Sequence, residues 1–235
     1  MTSQLDTQTN NNTNKLITKV LIGNRSFEIK GLYNFSRSDT LFYCGTCLIS
    51  FDSEKQNERH DLKCKKSILN SEKVHEEGPN VVYKVVGRDN ISFCQSLCNL
   101  GRCFIENKTL FLEIENYNFY LLFNENSLVG YFSDEILNEN HNLSCILILP
   151  DKQKMGFGKL LVDLSYKFKK GTPEKPFSVS GSHLYHKYWK NTVRKYLEDH
   201  NREYKSIEEI SNDLNMTIDD VIIGLENLEM MSMYL

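Results

Sequence analysis

The stretch SCILILPDKQKMGFGKLLVDLSYKFKK, residues 144–170, decides the fold. Its apolar run ends at Pro150, which donates no ladder hydrogen bond, so the residues from Asn142 to Leu149 read as a buried strand. Leu160, Leu161, Leu164 and Phe168 then recur at helical spacing, which predicts a helix from Lys159 to Lys169. Between them Gln153, Lys154, Met155, Gly156, Phe157, Gly158 and Lys159 form a glycine turn that opens the helix. Two glycines let backbone approach a ligand closely, and a helix N-terminus offers unpaired N–H groups to a pyrophosphate. A lone G-x-G turn is equally explained by a plain tight connection. Its place between a proline-terminated strand and an amphipathic helix favours the phosphate reading. From 151 to 205 there are 13 basic and 6 acidic residues, a net of +7, whereas 206–235 holds 7 acidic residues and no Lys or Arg. The first segment suits an anion and the second does not.

Upstream, the chain alternates β-branched and aromatic segments (Thr109 to Ile114, Tyr117 to Phe123, Leu128 to Phe132) with one helix, Cys94 to Cys103, and this predicts an antiparallel meander. Earlier still, short extended runs at 18–22, 25–29 and 41–43 lead into a cysteine cluster. The first fourteen residues, MTSQLDTQTNNNTN, lack the apolar area to offset the entropy of ordering. Downstream, Ser206 with Glu209 makes a capping-box pattern, and Thr217 with Asp220 opens a second helix. That silhouette suits DNA recognition or packing; a segment without cations cannot make phosphate contacts, which leaves packing. The organisation expected is a disordered tail (1–15), a metal-binding module (16–70), a catalytic core (71–185) and a helix-turn-helix-like region (186–235), of class α+β.

At 235 residues and 40% hydrophobic content, the chain can bury one ordinary core with a small appendage. A net charge of −3 excludes a uniformly basic nucleic-acid binder. Seven cysteines and no secretory signal point to a reducing compartment and to metal or catalysis before disulfides. No apolar run approaches the ~20 residues that cross a bilayer, so a soluble chain is expected.

Cys44 and Cys47, twelve further residues, His60, three more, and Cys64 give the spacing of a tetrahedral zinc site. A strand-turn would bring the first pair together, and one turn of a helix from Ser53 to Lys66 would stack His60 on Cys64. Two buried reduced cysteines with an incidental histidine are the alternative; the complete four-ligand pattern favours zinc, and four protein ligands make it structural. Lys55, Arg59 and Lys63 on that helix are interleaved with Glu54, Glu58 and Asp61, so the face is mixed in sign and suits a scaffold.

Two further residues are candidates for chemistry. Cys145 falls where a strand beside a thioester would place a side chain, although most free cysteines are simply small buried hydrophobes. Glu174 lies in Thr172-Pro173-Glu174-Lys175-Pro176, where two prolines stiffen a loop that either holds one carboxylate in position or is merely solvated.

Taken together, the finger, Cys94 to Cys98, Glu106 to Leu110, Leu128 to Ser133, Ser144 to Pro150, Gln153 to Leu161, Pro173 to Pro176 and Tyr188-Trp189 resemble the MYST family of histone acetyltransferases. The resemblance runs from about Leu16 to Met230. It implies an acetyl-CoA-dependent N-acetyltransferase-like core, with an N-terminal zinc finger and a C-terminal winged-helix-like region. It implies Glu174 as general base, Cys145 beside the acetyl group, and Ile146, Leu147 and Ile148 holding the acetyl-pantetheine arm through backbone. It also implies Gln153 to Lys159 around the pyrophosphate, Ser178 and Lys187 as further CoA contacts, and Lys108 as an autoacetylated lysine. Lys154 stands where the family has Arg, Val179 where Asp is common, and Lys187 where a small residue or Ser is usual. The first keeps charge but loses a bidentate fork.

The expected function is therefore transfer of acetyl from acetyl-CoA to histone lysines in the nucleus, with structural Zn2+. Histones or nucleosomes would be substrate and subunits of a chromatin complex partners, with direct DNA contact weak or absent and no membrane. Direct attack of lysine, or attack on an acetyl-Cys145 intermediate, would use the same two residues. An acetyltransferase for other lysines, or a silent zinc subunit of a chromatin complex, are the alternative readings.

Overall fold

The computed structural model describes residues 15–30, 36–64, 71–105, 113–200 and 206–228. They fall into two compact units, one drawn from residues 15–64 and 96–105, the other from 71–95 and 113–228. The N-terminal tail, apart from Lys15, lies outside the described residues, as do Lys108 and most of the expected strand from Thr109 to Ile114.

In the first unit, β1 (Lys19–Ile22), β2 (Arg25–Glu28), β3 (Thr40–Tyr43) and β4 (Ser50–Phe51) form one sheet in the order β2-β1-β3-β4. β1 and β3 run parallel and the other neighbours antiparallel. Val20, Ile22, Leu41 and Tyr43 alternate inward as the period-2 pattern requires. Helix α1 (Glu54–Asp61) follows. None of its residues is buried, and eight residues are too few for a helix to persist on propensity alone. Something other than an apolar face must hold it.

The second unit opens with the hairpin β5 (Ser71–Glu77) and β6 (Asn80–Val86). The chain then runs through α2 (Ile91–Phe104), whose residues from 96 on belong to the first unit, to β7 (Tyr117–Asn124) and β8 (Ser127–Glu135). β6 to β8 form the expected antiparallel meander, and β5 adds an antiparallel strand at its edge. β5, reading SEKVHEE, is an edge strand whose charges discourage further pairing, and they hid it from a search for apolar alternation. Next come β9 (His141–Leu143), β10 (Cys145–Ile148), α3 (Phe157–Phe168), β11 (Thr172–Pro173), α4 (Val179–Asp199), α5 (Ile207–Asp213) and α6 (Ile218–Glu226).

Two observations correct the expected elements. The strand from Asn142 to Leu149 is broken at Ser144: β10 joins the large sheet beside β8, while β9 pairs in parallel with β11 in a sheet of two strands. The break follows from Ser144 N–H donating to Ser133 at 2.7 Å, which shifts the chain from one sheet to the other. α3 begins two residues before the expected Lys159, because Gly156 serves as its N-cap.

α3 lies between two apolar clusters. Leu161 and Leu164 pack with Val82, Leu122, Phe132 and Leu143 from the sheet side. Val162 and Tyr166 pack with Trp189, Val193, Ile210, Met216, Val221 and Leu225 from the C-terminal helices. The capping box at Ser206 and the Thr217 cap are both formed, and the helices they start bury their apolar faces in this second cluster. Among the described residues no helix is long and apolar enough to cross a membrane.

Candidate active site

In the first unit, the ligand atoms of Cys44, Cys47, His60 and Cys64 all lie within 4.8 Å of one another, with Cys47 Sγ 3.1 Å from His60 Nε2. Cys44 and Cys47 flank the tight turn after β3, and Leu48 closes it with the positive φ of 57°. His60 sits in the last turn of α1, against the ring of Phe51. Cys64 does not share that helix, contrary to the expected stacking on one turn: α1 ends at Asp61, and Cys64 reaches the cluster from the turn that follows. Burial pushes the Cys44 thiol up to about 12 and raises that of Cys47, so two thiols packed here without a cation stay protonated. Three sulfurs and one imidazole converging from a turn and a helix with no buried face fit a tetrahedral zinc, which would hold α1 in place.

The other chemistry lies in the second unit. Glu174 N–H donates to the carbonyl of Leu143 at 2.8 Å, extending the pairing of Thr172 with His141 and Pro173 with Leu143. The loop glutamate is thereby tied to β9 two residues before Cys145. Its carboxylate is exposed, not partly buried as a base in the free chain would be, and Cys145 is half-buried.

Among the described residues β10 is the edge of its sheet, paired only with β8. Leu149 N–H donates to Val129 at 2.9 Å, and the antiparallel register pairs Leu147 with Tyr131. Alternation along such a ladder turns the N–H and C=O groups of Ile146 and Ile148 to the open edge. Consistent with that, the carbonyl of Ile148 accepts from the Gln153 side chain at 3.0 Å. Gly130 allows this pairing: a Cβ there would lie 2.0 Å from the Leu147 carbonyl oxygen.

After Pro150 the chain makes one 3-10 turn to Lys152. Lys154 (φ 61°) and Gly156 (φ 91°) then adopt left-handed conformations on either side of exposed Met155. Gly156 contributes no side-chain cap, which leaves the first-turn N–H groups of α3 without a capping side chain. Gly158 has an ordinary helical conformation, and a Cβ there would make ordinary contact with Leu184 of α4 at 3.4 Å. Phe157 packs into the sheet-side cluster, and Lys159 pairs with Asp163 at 2.6 Å. Ser178 caps α4 by accepting from Gly181 N–H at 3.1 Å, and Lys187 lies on the exposed side of that helix. Ile146 and Ile148 thus lie on β10, Phe157 and Gly158 in the first turn of α3, and Ser178 at the N-cap of α4, while Glu174 is tied to β9 and Lys187 lies further along α4.

The model of the MOZ/SAS family matches residues 70–235. The chain belongs to the MOZ/SAS family. Its relatives within that family include histone acetyltransferase SAS3 of Saccharomyces cerevisiae, 33% identical over 246 residues, covering 88% of this chain and 30% of SAS3. Histone acetyltransferase mst1 of Schizosaccharomyces pombe is 32% identical over 234 residues, covering 93% of this chain and 50% of mst1. Human histone acetyltransferase KAT6B is 34% identical over 206 residues, covering 83% of this chain and 10% of KAT6B. The chain thus spans half or less of the length of these MOZ/SAS relatives. The MYST resemblance read in the sequence is borne out by these matches.

Sequence reading missed α4 as an element of this MOZ/SAS domain. The signal was present: Ser178 as cap, then Tyr185, Tyr188, Trp189, Val193, Tyr196 and Leu197 buried at helical spacing. Aromatic residues in place of leucines concealed it.

Proposed function

We propose that this chain is a protein-lysine acetyltransferase that moves acetyl from acetyl-CoA to histone lysines, with Glu174 as general base. The observation that carries the proposal is the Glu174 N–H bond to Leu143, which sets a carboxylate beside the strand that runs on into Cys145 and the open edge of β10. An acceptor lysine has an ordinary pKa of about 10.4, so its amine must lose a proton before it attacks. Glu174 takes that proton; the amine nitrogen then bonds to the thioester carbonyl carbon, the C–S bond breaks, and CoA leaves as thiol once protonated. A carboxylate becomes a stronger base as water is withdrawn from it. Glu174 is exposed in the free chain, so bound acetyl-CoA and acceptor peptide supply that exclusion.

The outward N–H groups of Ile146 and Ile148 are suited to the acetyl-pantetheine arm, and one near Cys145 and Ile146 to the developing oxyanion. The backbone from Gln153 to Lys159, with Lys154 and Gly156 in left-handed conformations, is suited to the pyrophosphate. Ser178 at the N-cap of α4 and Lys187 further along that helix add polar groups. Cys145 lines the acetyl site, and direct attack needs no covalent step on it: one base and two oriented substrates supply much of the rate. Lys108 remains a candidate for autoacetylation. Zinc at the Cys3His cluster is structural, since all four positions are protein ligands.

The relatives named above are histone acetyltransferases, which supports histones as substrate, the nucleus as location and chromatin-complex subunits as partners. Direct DNA contact by α5 and α6 is weak or absent, because Glu208, Glu209, Asp213, Asp219 and Glu226 line their exposed sides without a cation. Labelled acetyl transfer to core histones by wild type and Glu174→Gln tests the proposal: loss in the variant is expected, and equal transfer contradicts it.

A further inference from the structure

Asp220 of α6 is a carboxylate with 0% exposure, and the reaction just described does not use it. Its Oδ2 accepts from the Tyr166 hydroxyl at 2.9 Å, and that hydroxyl accepts from Trp189 Nε1 at 2.7 Å. Its Oδ1 accepts from the Thr172 hydroxyl at 2.9 Å. Thr172 begins β11, and Glu174 follows β11 directly. The same segment is stitched to the turn between α5 and α6 by Gly171 N–H donating to Asn215 at 3.2 Å and by a bridge between Gly171 and Met216.

A strand of two residues cannot fix its own position, because it makes too few ladder bonds to offset the entropy of ordering it. β11 is held from one side by β9 and from the other by Asp220 and the α5–α6 turn. An apolar side chain would pack α6 against Trp189 at least as well as a buried carboxylate, whose desolvation is costly. A carboxylate kept in this place can set geometry through the hydroxyls it accepts from.

We infer that Asp220 is a positioning residue for Glu174: through the Thr172 hydroxyl it fixes β11, and so the direction from which the carboxylate meets the acceptor amine. This rests on Glu174 being the base. Small displacements of a reacting group cost rate out of proportion to their size, up to about 100-fold for about 1 Å. The C-terminal helices are then part of the catalytic apparatus without touching substrate.

The test replaces the hydroxyl by a methyl of equal size, Thr172→Val, in the full chain. Steady-state kinetics with acetyl-CoA and a histone peptide are compared with Thr172→Ser, Glu174→Gln and Tyr196→Phe. The last removes a hydroxyl bond to Asp213 between α4 and α5, away from β11. The inference expects Thr172→Val to lower kcat about 10-fold with the KM for acetyl-CoA within about twofold, the signature of a lost transition-state geometry. Thr172→Ser restores kcat, and Tyr196→Phe lowers Tm without changing it. Thr172→Ala, which removes the same bond without apolar bulk, gives the same reading should the valine variant not fold. Wild-type kcat in folded Thr172→Val, or an equal fall in Tyr196→Phe, overturns the inference while leaving Glu174 as base. Full activity in Glu174→Gln removes the base itself, and the inference falls with it.

Discussion

The backbone N–H of Glu174 donates to the carbonyl oxygen of Leu143 at 2.8 Å, and this one bond joins a proline-stiffened loop to the strand that leads into Cys145. It makes the position of the carboxylate a property of β9 and β11 together. Measurable consequences follow for the sheet edge, the turn, the metal and the buried charges.

Gly130 is the first case. A Cβ at this position would lie 2.0 Å from the Leu147 carbonyl oxygen and 3.0 Å from Ile148 Cα, both backbone atoms that cannot step aside. Gly130→Ala therefore separates β8 from β10, costs about 3 kcal/mol and abolishes acetyl-CoA binding. Thermal unfolding and calorimetric titration with acetyl-CoA check this.

Gly156 differs in kind. Nothing lies within 4 Å of a Cβ built there, so the obstacle is only its φ of 91°. Gly156→Ala costs about 1 kcal/mol in stability, and a larger effect appears as a raised KM for acetyl-CoA, because the turn relaxes away from its left-handed conformation. Gly158→Ala, whose added methyl meets Leu184 at an ordinary 3.4 Å, leaves the fold intact. Steady-state kinetics on the two variants separate turn geometry from mere small size.

These contrasts show what the sequence could reveal. The glycine turn, the capping box at Ser206 and the Cys-Cys-His-Cys spacing are local patterns, and each appears in the structure near where it was read. The break at Ser144 was not legible, because an apolar run looks the same whether it serves one sheet or two. The links from Leu143 to Glu174 and from Thr172 to Asp220 join residues far apart in the chain, and no spacing rule encodes them.

For the metal, one zinc per chain is expected by elemental analysis, falling well below one in Cys47→Ser. Zinc binding contributes roughly 10–16 kcal/mol in small finger peptides. With no buried residue in α1, removal by a chelator melts that helix and the turn at Cys44, seen as loss of amide protection in residues 44–64. Protection unchanged after complete zinc removal would show that packing alone holds the module.

Asp134 gives a pH dependence. Burial pushes its carboxyl up from the ordinary value, and the Lys169 ammonium at 3.6 Å offsets only part of this. The folded form thus keeps the proton to higher pH than the unfolded form, so stability from this group falls as pH rises from the unfolded value of about 4 through the folded one. The Tm of wild type minus that of Asp134→Asn is largest at the acid end and declines as pH rises; a difference that grows with pH would reverse the sign.

The most direct measurement is transfer of labelled acetyl from acetyl-CoA to core histones, with albumin as control acceptor, by zinc-loaded wild type, Glu174→Gln and Cys145→Ala. Wild type labels histones, Glu174→Gln loses at least about 100-fold, the scale of a missing general base, and Cys145→Ala retains most activity. Equal labelling by wild type and Glu174→Gln would contradict the account.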